Sequence, residues 1–368
     1  MRARTWQFLV VAIAAICALA GLSWWWNATR DSGIDPGFAQ AFIDANRRMD
    51  DSATAVAYDP QLKILAVGRD SGRLELWDAS KRDARIGIDA HSYRIEHVAF
   101  GVADGIVISS SIGSTIMGLD PDGMPKVWDA RSGELLLALP GEWIGGPVAA
   151  APVDGFYLIA SDNELRLYDH ARRAVVGEPL VFKGGVTALG ADRDSGLVAI
   201  GTSSGELVLA RIDAASGTPR LDITSRTSTY GLQSRTDVLA VMLRDQGRRL
   251  VTVHWLPEAM RHDYPPNIAG QQAEIVQWDT RDWSRERGFP FSLQTVRWAS
   301  YTPGEPWAVL AGSESTRGRI ELVDLERGVA WRYKANTSHP EAVLLPEIRS
   351  GLILQSGGAT QIRYLDQE

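Results

Sequence analysis

His254, Glu258 and His262 stand at i, i+4 and i+8, a spacing that would align two imidazoles and a carboxylate on one helical face as metal ligands. Pro257 interrupts any such helix and no fourth ligand stands near, so no metal centre is expected there. Asp120-Pro121-Asp122-Gly123 resembles the start of a calcium loop but lacks the later oxygen ligands, and reads as a turn. The tetrapeptide Arg-Asp-Ser-Gly occurs at 30–33, 69–72 and 193–196, with no histidine or other base placed to activate its serine. No phosphate-binding loop is present. Asn27-Ala28-Thr29 and Asn336-Thr337-Ser338 match glycosylation acceptors, which matter only in a glycosylating host. The sequence therefore predicts no catalytic residues, no cofactor and no metal.

A different chemistry is concentrated in two stretches, residues 112–125 and 254–271. They hold Met117, Leu119 and Met124 in the first and Trp255, Met260 and Tyr264 in the second. Flexible thioethers and aromatic rings on loops suit adaptable contact with a protein partner. These six residues are the candidate partner-binding set. What they can do depends on the elements that present them.

Those elements repeat. After residue 53 a Val opens an apolar strand, a turn follows, and a second apolar strand returns, starting at Val56, Val98, Val148, Val186, Val238, Val296 and Val343. Six of the turns carry Gly and the first uses Asp59-Pro60, residues that supply turn dihedrals. A third strand then ends in a dipeptide. Trp77-Asp78, Trp128-Asp129 and Trp278-Asp279 are the full forms; Tyr168-Asp169, Val323-Asp324 and Leu365-Asp366 are degenerate, and Ala210-Arg211 holds the place in the fourth unit.

Seven repeated units, three of them ending in Trp-Asp, resemble the WD-repeat β-propeller family, here of a bacterial, membrane-anchored type. The segment Ala90 to Phe100 is similar to that family's Gly-His segment, with Ala in place of Gly, and His91 is the one match to its structural histidine. The resemblance covers nearly everything after residue 37 and implies an all-β, seven-bladed propeller. A quinoprotein-type propeller is the nearest alternative, carried by residues 323–331 alone. On the propeller, both long stretches fall between second and third strands, on one face, in the second and fifth blades. The alternative to partner binding is that they fold back and cap the central channel.

The interval from each dipeptide to the next opening Val is nearly constant and holds an outer strand. The seventh unit has no such interval after Asp366, and counting one interval back from Val56 lands on Phe38. Residues 38–51 are therefore expected to supply the missing outer strand, closing the ring by pairing N- and C-terminal segments and leaving no open edge. Phe38, Ala41, Phe42 and Ala45 also fit one face of a helix, which is the competing reading.

The first residues carry Arg2 and Arg4, then an uncharged apolar run from Trp6 to Trp26. At ~1.5 Å per residue such a run reaches ~30 Å, enough for a bilayer core, with Trp24, Trp25 and Trp26 as an interfacial belt. Residues 1–26 read as a signal anchor, 27–37 as a linker and 38–368 as the propeller. Ala18-Leu19-Ala20 offers a cleavage site in the alternative, a signal peptide. Cys17, the single cysteine, lies inside the span without a lipobox, so neither lipidation nor a disulfide within the chain is expected. The charge bias places the N-terminus in the cytoplasm and the propeller outside it, in the periplasm of a Gram-negative cell.

The chain is 45% hydrophobic and 23% charged with a net charge of -7, ordinary for a globular protein and without the basic field that nucleic acid requires. The sequence thus predicts a single-pass, extracytoplasmic, non-catalytic interaction platform, a scaffold or a capture protein. It would touch the membrane through the N-terminal helix and a protein partner through the membrane-distal face. The alternatives are a quinoprotein-like enzyme and a sensor binding a small ligand in the channel.

Overall fold

Each repeat folds as a meander because turn-forming residues separate consecutive apolar runs. A computed structural model describes residues 33–47, 49–101, 105–111, 124–138, 146–214, 218–229, 237–255, 273–289, 295–301, 306–314, 317–335, 341–355 and 358–363. The first blade is β1 (Ala53–Asp59), β2 (Ile64–Arg69), β3 (Arg73–Asp78) and β4 (Arg85–Asp89). The second is β5 (Ile95–Phe100), β6 (Ile106–Ser111), β7 (Lys126–Asp129) and β8 (Leu135–Ala138). The third is β9 (Val148–Ala150), β10 (Phe156–Ser161), β11 (Glu164–Asp169) and β12 (Ala174–Val181). The fourth is β13 (Val186–Asp192), β14 (Leu197–Thr202), β15 (Glu206–Asp213) and β16 (Arg220–Ser228). The fifth is β17 (Val238–Arg244), β18 (Arg249–Trp255), β19 (Ala273–Asp279) and β20 (Arg285–Phe289). The sixth is β21 (Thr295–Tyr301), β22 (Trp307–Glu314), β23 (Arg317–Asp324) and β24 (Val329–Lys334). The seventh is β25 (Glu341–Leu345), β26 (Ser350–Gln355) and β27 (Gly358–Arg363).

All seven sheets are antiparallel with strands in sequence order; six have four strands and the last has three. The innermost strands, each holding the opening Val of its repeat, neighbour one another around the axis, and β25 returns to β1. The chain is an all-β, seven-bladed β-propeller. Second strands are sandwiched between blades, so β2, β6 and β14 are buried at every position, including Arg69, Ser109, Ser110, Ser111 and Thr202 at their ends. Outer strands such as β4 alternate between half-buried and exposed residues.

The recurrent dipeptide has two separate tasks. Its first residue fills the seam with the preceding blade: Trp128 packs with Ala66 and Leu76 of the first blade, and Trp278 with Leu207 and Leu209 of the fourth. Tyr168, Ala210 and Val323 occupy equivalent places in their own seams, so an apolar residue suffices where Trp is absent. Its Asp caps the turn to the outer strand. Asp129 Oδ1 accepts the Arg131 and Ser132 N–H groups at 2.9 and 2.6 Å and the Ser132 hydroxyl at 2.9 Å. The Ser132 N–H, with the other donors, holds the Asp129 carboxyl below its usual range. Asp78 and Asp324 cap their turns in the same way.

The ring closes differently from the expected strand pairing. Residues Phe38–Asn46 form a helix, α1, and the last blade has three strands. Phe38, Ala39, Phe42, Ile43 and Asn46 are its buried positions, one helical face that a strand would have split between two sides. The Asp35 carboxylate accepts the Gly37 N–H at 2.7 Å just before the helix begins. The helix is a wedge rather than a free element. Its rings pack against Trp77, Leu65 and Val67 of the first blade and Leu345, Leu352, Leu354 and Ala359 of the seventh. Phe42 meets Trp77 edge-on at 5.0 Å.

A buried polar bond reinforces the wedge. Arg69 donates to Asn46 Oδ1 at 2.7 Å and to Glu75 Oε2 at 2.6 Å, and the Arg69 and Glu75 side chains are only 3% and 2% exposed. Trp77 Nε1–H donates to the same Glu75 oxygen at 3.2 Å, so the first blade's Trp is tied to the pair that anchors α1.

Candidate interaction face and central channel

The two faces of the ring follow from strand register. Ala53 at the start of β1 pairs with Arg69 at the end of β2, so turns between second and third strands share a face with the inner-strand starts. Turns between third and fourth strands lie on the other face. The two long stretches leave the ring between Ser111 and Lys126 and between Trp255 and Ala273, both on the first of these faces. The chain enters on the second, where the Asp35 N–H donates to Ala79 O in the β3–β4 turn at 2.8 Å.

Of the six candidate contact residues, Met117, Leu119, Met260 and Tyr264 lie outside the described residues, as do Asp120, Glu258 and His262. Met124 is half-buried in the bend before β7. Trp255 is the last residue of β18 and packs, half-buried, against the seam between the fifth and sixth blades. It belongs partly to the core, which the sequence reading did not anticipate. The structure thus brings Trp255 and Met124 to the roots of the two loops, in separate blades.

Each root rests on a buried polar chain. In the second blade His91 Nε2 lies 2.8 Å from Ser109 Oγ, and Trp128 Nε1–H donates to the same oxygen at 2.9 Å. Lys126, at the start of β7, donates to Ala90 O at 2.6 Å. In the fifth blade the donors run in one direction. Trp278 Nε1–H donates to Thr252 Oγ1 at 2.9 Å, which leaves the Thr252 hydroxyl to donate to His254 Nδ1 at 3.0 Å. The Nε2–H then donates to Glu274 Oε1 at 3.2 Å, and Arg285 donates to Glu274 Oε2 at 2.7 Å.

This arrangement needs a neutral imidazole. Burial, reinforced by the Arg285 charge, depresses His254 to about 3. Burial raises Glu274, with Arg285 opposing. Both His254 nitrogens are engaged inside the blade, so this histidine is not presented to a metal. Among the described residues no three or more His, Cys, Asp and Glu stand close enough to hold one.

The inner strands enclose a channel of about 980 Å³. Small residues such as Ala55, Ala99, Ala149, Ala188 and Ala240 line it, with five carboxylates against two arginines. Glu96, His97 and Glu341 lie at the mouth on the loop face, with Arg94 donating from Nε to Glu96 at 2.6 Å. Burial pushes Glu341 well above the usual carboxylate range, Glu96 adding to the effect. Burial also lowers His97, against the pull of Glu96. Sequence reasoning passed over these residues, although a signal was present. Glu96 and Glu341 each stand two positions before the opening Val of their repeats, and that register puts both in one layer.

The sequence matches no model of a known protein family, and no curated protein is significantly similar to it. Among the described residues no helix is long and apolar enough to cross a membrane; residues 1–26 lie outside them.

Proposed function

We propose that this protein is a membrane-anchored, extracytoplasmic propeller of WD-repeat type that serves as a non-catalytic platform for a protein partner. The opposition of the two faces carries the reading. The chain enters beside the β3–β4 turn, while both long loops leave from the far side of the ring. An anchor at 1–26 joined by the linker 27–37 would then hold the entry face toward the bilayer and point the loops away from it. The WD-repeat type is supported by the His91–Ser109–Trp128 bonds under the first loop. The extracytoplasmic location rests on Arg2 and Arg4 before the apolar run.

The test has two arms. A reporter active only outside the cytoplasm, fused after Glu368, should be active; a signal from a cytoplasmic reporter there refutes the orientation. Substitution of Met260 and Tyr264 in one protein and Met117 and Leu119 in another should weaken partner capture about thirtyfold, because a buried interface anchor is worth ~2 kcal/mol or more. Glu326→Ala serves as the control, since Glu326 is exposed in the β23–β24 turn on the opposite face. Capture equal to the control in both loop variants would make the loops caps of the channel.

A further inference from the structure

The channel mouth on the loop face contains a carboxyl group that the fold itself does not satisfy. Glu341 opens β25 with 9% exposure, and its Oε2 has no hydrogen-bond partner. Glu96 approaches it with like charge, and Arg94, the nearby cation among the described residues, is already engaged by Glu96. Two hydroxyls of this layer are spent within the ring. The Thr54 hydroxyl donates to Ile95 O at 2.6 Å and the Thr187 hydroxyl to Val238 O at 2.6 Å. The mouth therefore offers a buried open acceptor at Glu341 Oε2, in a channel lined by five carboxylates against two arginines and by many small apolar residues.

We propose that this mouth binds a primary ammonium carried on an unbranched alkyl arm, with the ammonium on Glu341 Oε2 and the arm along the alanines of the channel. Three features select that chemistry. An ammonium supplies both the missing donor and the missing positive charge. A metal ion is disfavoured because no cluster of three metal-binding side chains is present among the described residues. Ala99 and Ala149, half-buried in the channel lining, offer small apolar surface to an alkyl chain. The same group occurs in a free aliphatic amine and in a lysine side chain of a docked protein. The site stands whether or not the loops bind a partner.

Calorimetric titration of the full chain in non-ionic detergent tests this with four probes at fixed ionic strength. They are butylamine, putrescine, the capped peptide Gly-Lys-Gly, and tetramethylammonium, which has charge but no N–H. The primary amines should bind and tetramethylammonium should not. Tighter binding of the peptide than of butylamine assigns the site to a protein lysine, and the reverse assigns it to a free amine. Glu341→Gln should weaken binding at least tenfold. Arg94→Gln, at an exposed position, should strengthen it severalfold by leaving Glu96 without its counter-charge, so the proposal stays testable if the first variant misfolds. Equal binding of tetramethylammonium, no binding of any primary amine at millimolar concentration, or unchanged affinity in both variants would overturn it.

Discussion

Replacing His254 with Gln should flatten the acid limb of the stability profile, because burial holds this imidazole neutral in the folded chain. The unfolded chain protonates this side chain near pH 6.5, whereas burial and Arg285 hold the folded form to about 3. A histidine depressed on folding stabilises the native state above its unfolded pKa, and that stability is lost as pH falls toward the folded value. Each pH unit in this window costs up to about 1.4 kcal/mol, so acidification from pH 8 to 4.5 costs about 2.7 kcal/mol from this one group. Glu274 and Glu341 act in the opposite sense, because carboxyls raised on folding regain stability as pH drops from their folded values. His97 acts in the same sense as His254, and both His97 and Glu341 cancel in the comparison. Glu274 touches His254, so the figure is an upper bound. Urea unfolding followed by tryptophan fluorescence at pH 8, 6.5, 5.5 and 4.5 would measure it. The gap in stability between the natural protein and His254→Gln should shrink by up to about 2.7 kcal/mol across that range. Parallel profiles would refute a neutral, buried imidazole at the root of the second loop.

Three further outcomes follow from the packing. Phe42→Ala should lose about 3–5 kcal/mol of stability in denaturant unfolding, since its ring fills the seam between the last and first blades. Gln40→Ala on the exposed side of α1 should stay within ~0.5 kcal/mol, and equal effects would mean that the helix is not the wedge. Glu75→Gln leaves the Arg69 guanidinium buried without its charge partner and should cost about 3–5 kcal/mol, measured in the same way. Gly72→Ala should lower the melting temperature measurably, because Gly72 has φ +86° and an added Cβ would stand 2.0 Å from His91 O. An unchanged melting temperature would refute that close approach.

Most of the ring was legible because it is written in short-range signals. An opening Val and a turn recur in all seven units and an apolar residue before Asp in six, and among the described residues these pack the seams and cap the turns. Residues 38–46 were misread because their apolar spacing fits both a strand interval and a helical face. The seam between the first and last blades decides it, since Phe38 and Phe42 can both enter that seam only from one helical side. The polar chain under the second loop was invisible for another reason. His254 and Glu274 are partners across β18 and β19, yet the long loop separates them in sequence, so His254 was weighed against Glu258 and His262 instead. Glu341 escaped notice because a single acid before an apolar strand carries no motif until the repeats are aligned on their opening Val.

The reading of the two loops as a docking face is tested most directly by photo-cross-linking in intact membranes. A photoreactive amino acid would be placed at Met117 or Met260, within the two long stretches, and at Asp83 or Arg131 in exposed turns of the entry face. Both loop positions should give cross-links to the same protein, and neither entry-face position should do so. Cross-links to that protein from Asp83 and Arg131, with none from Met117 and Met260, would contradict the account.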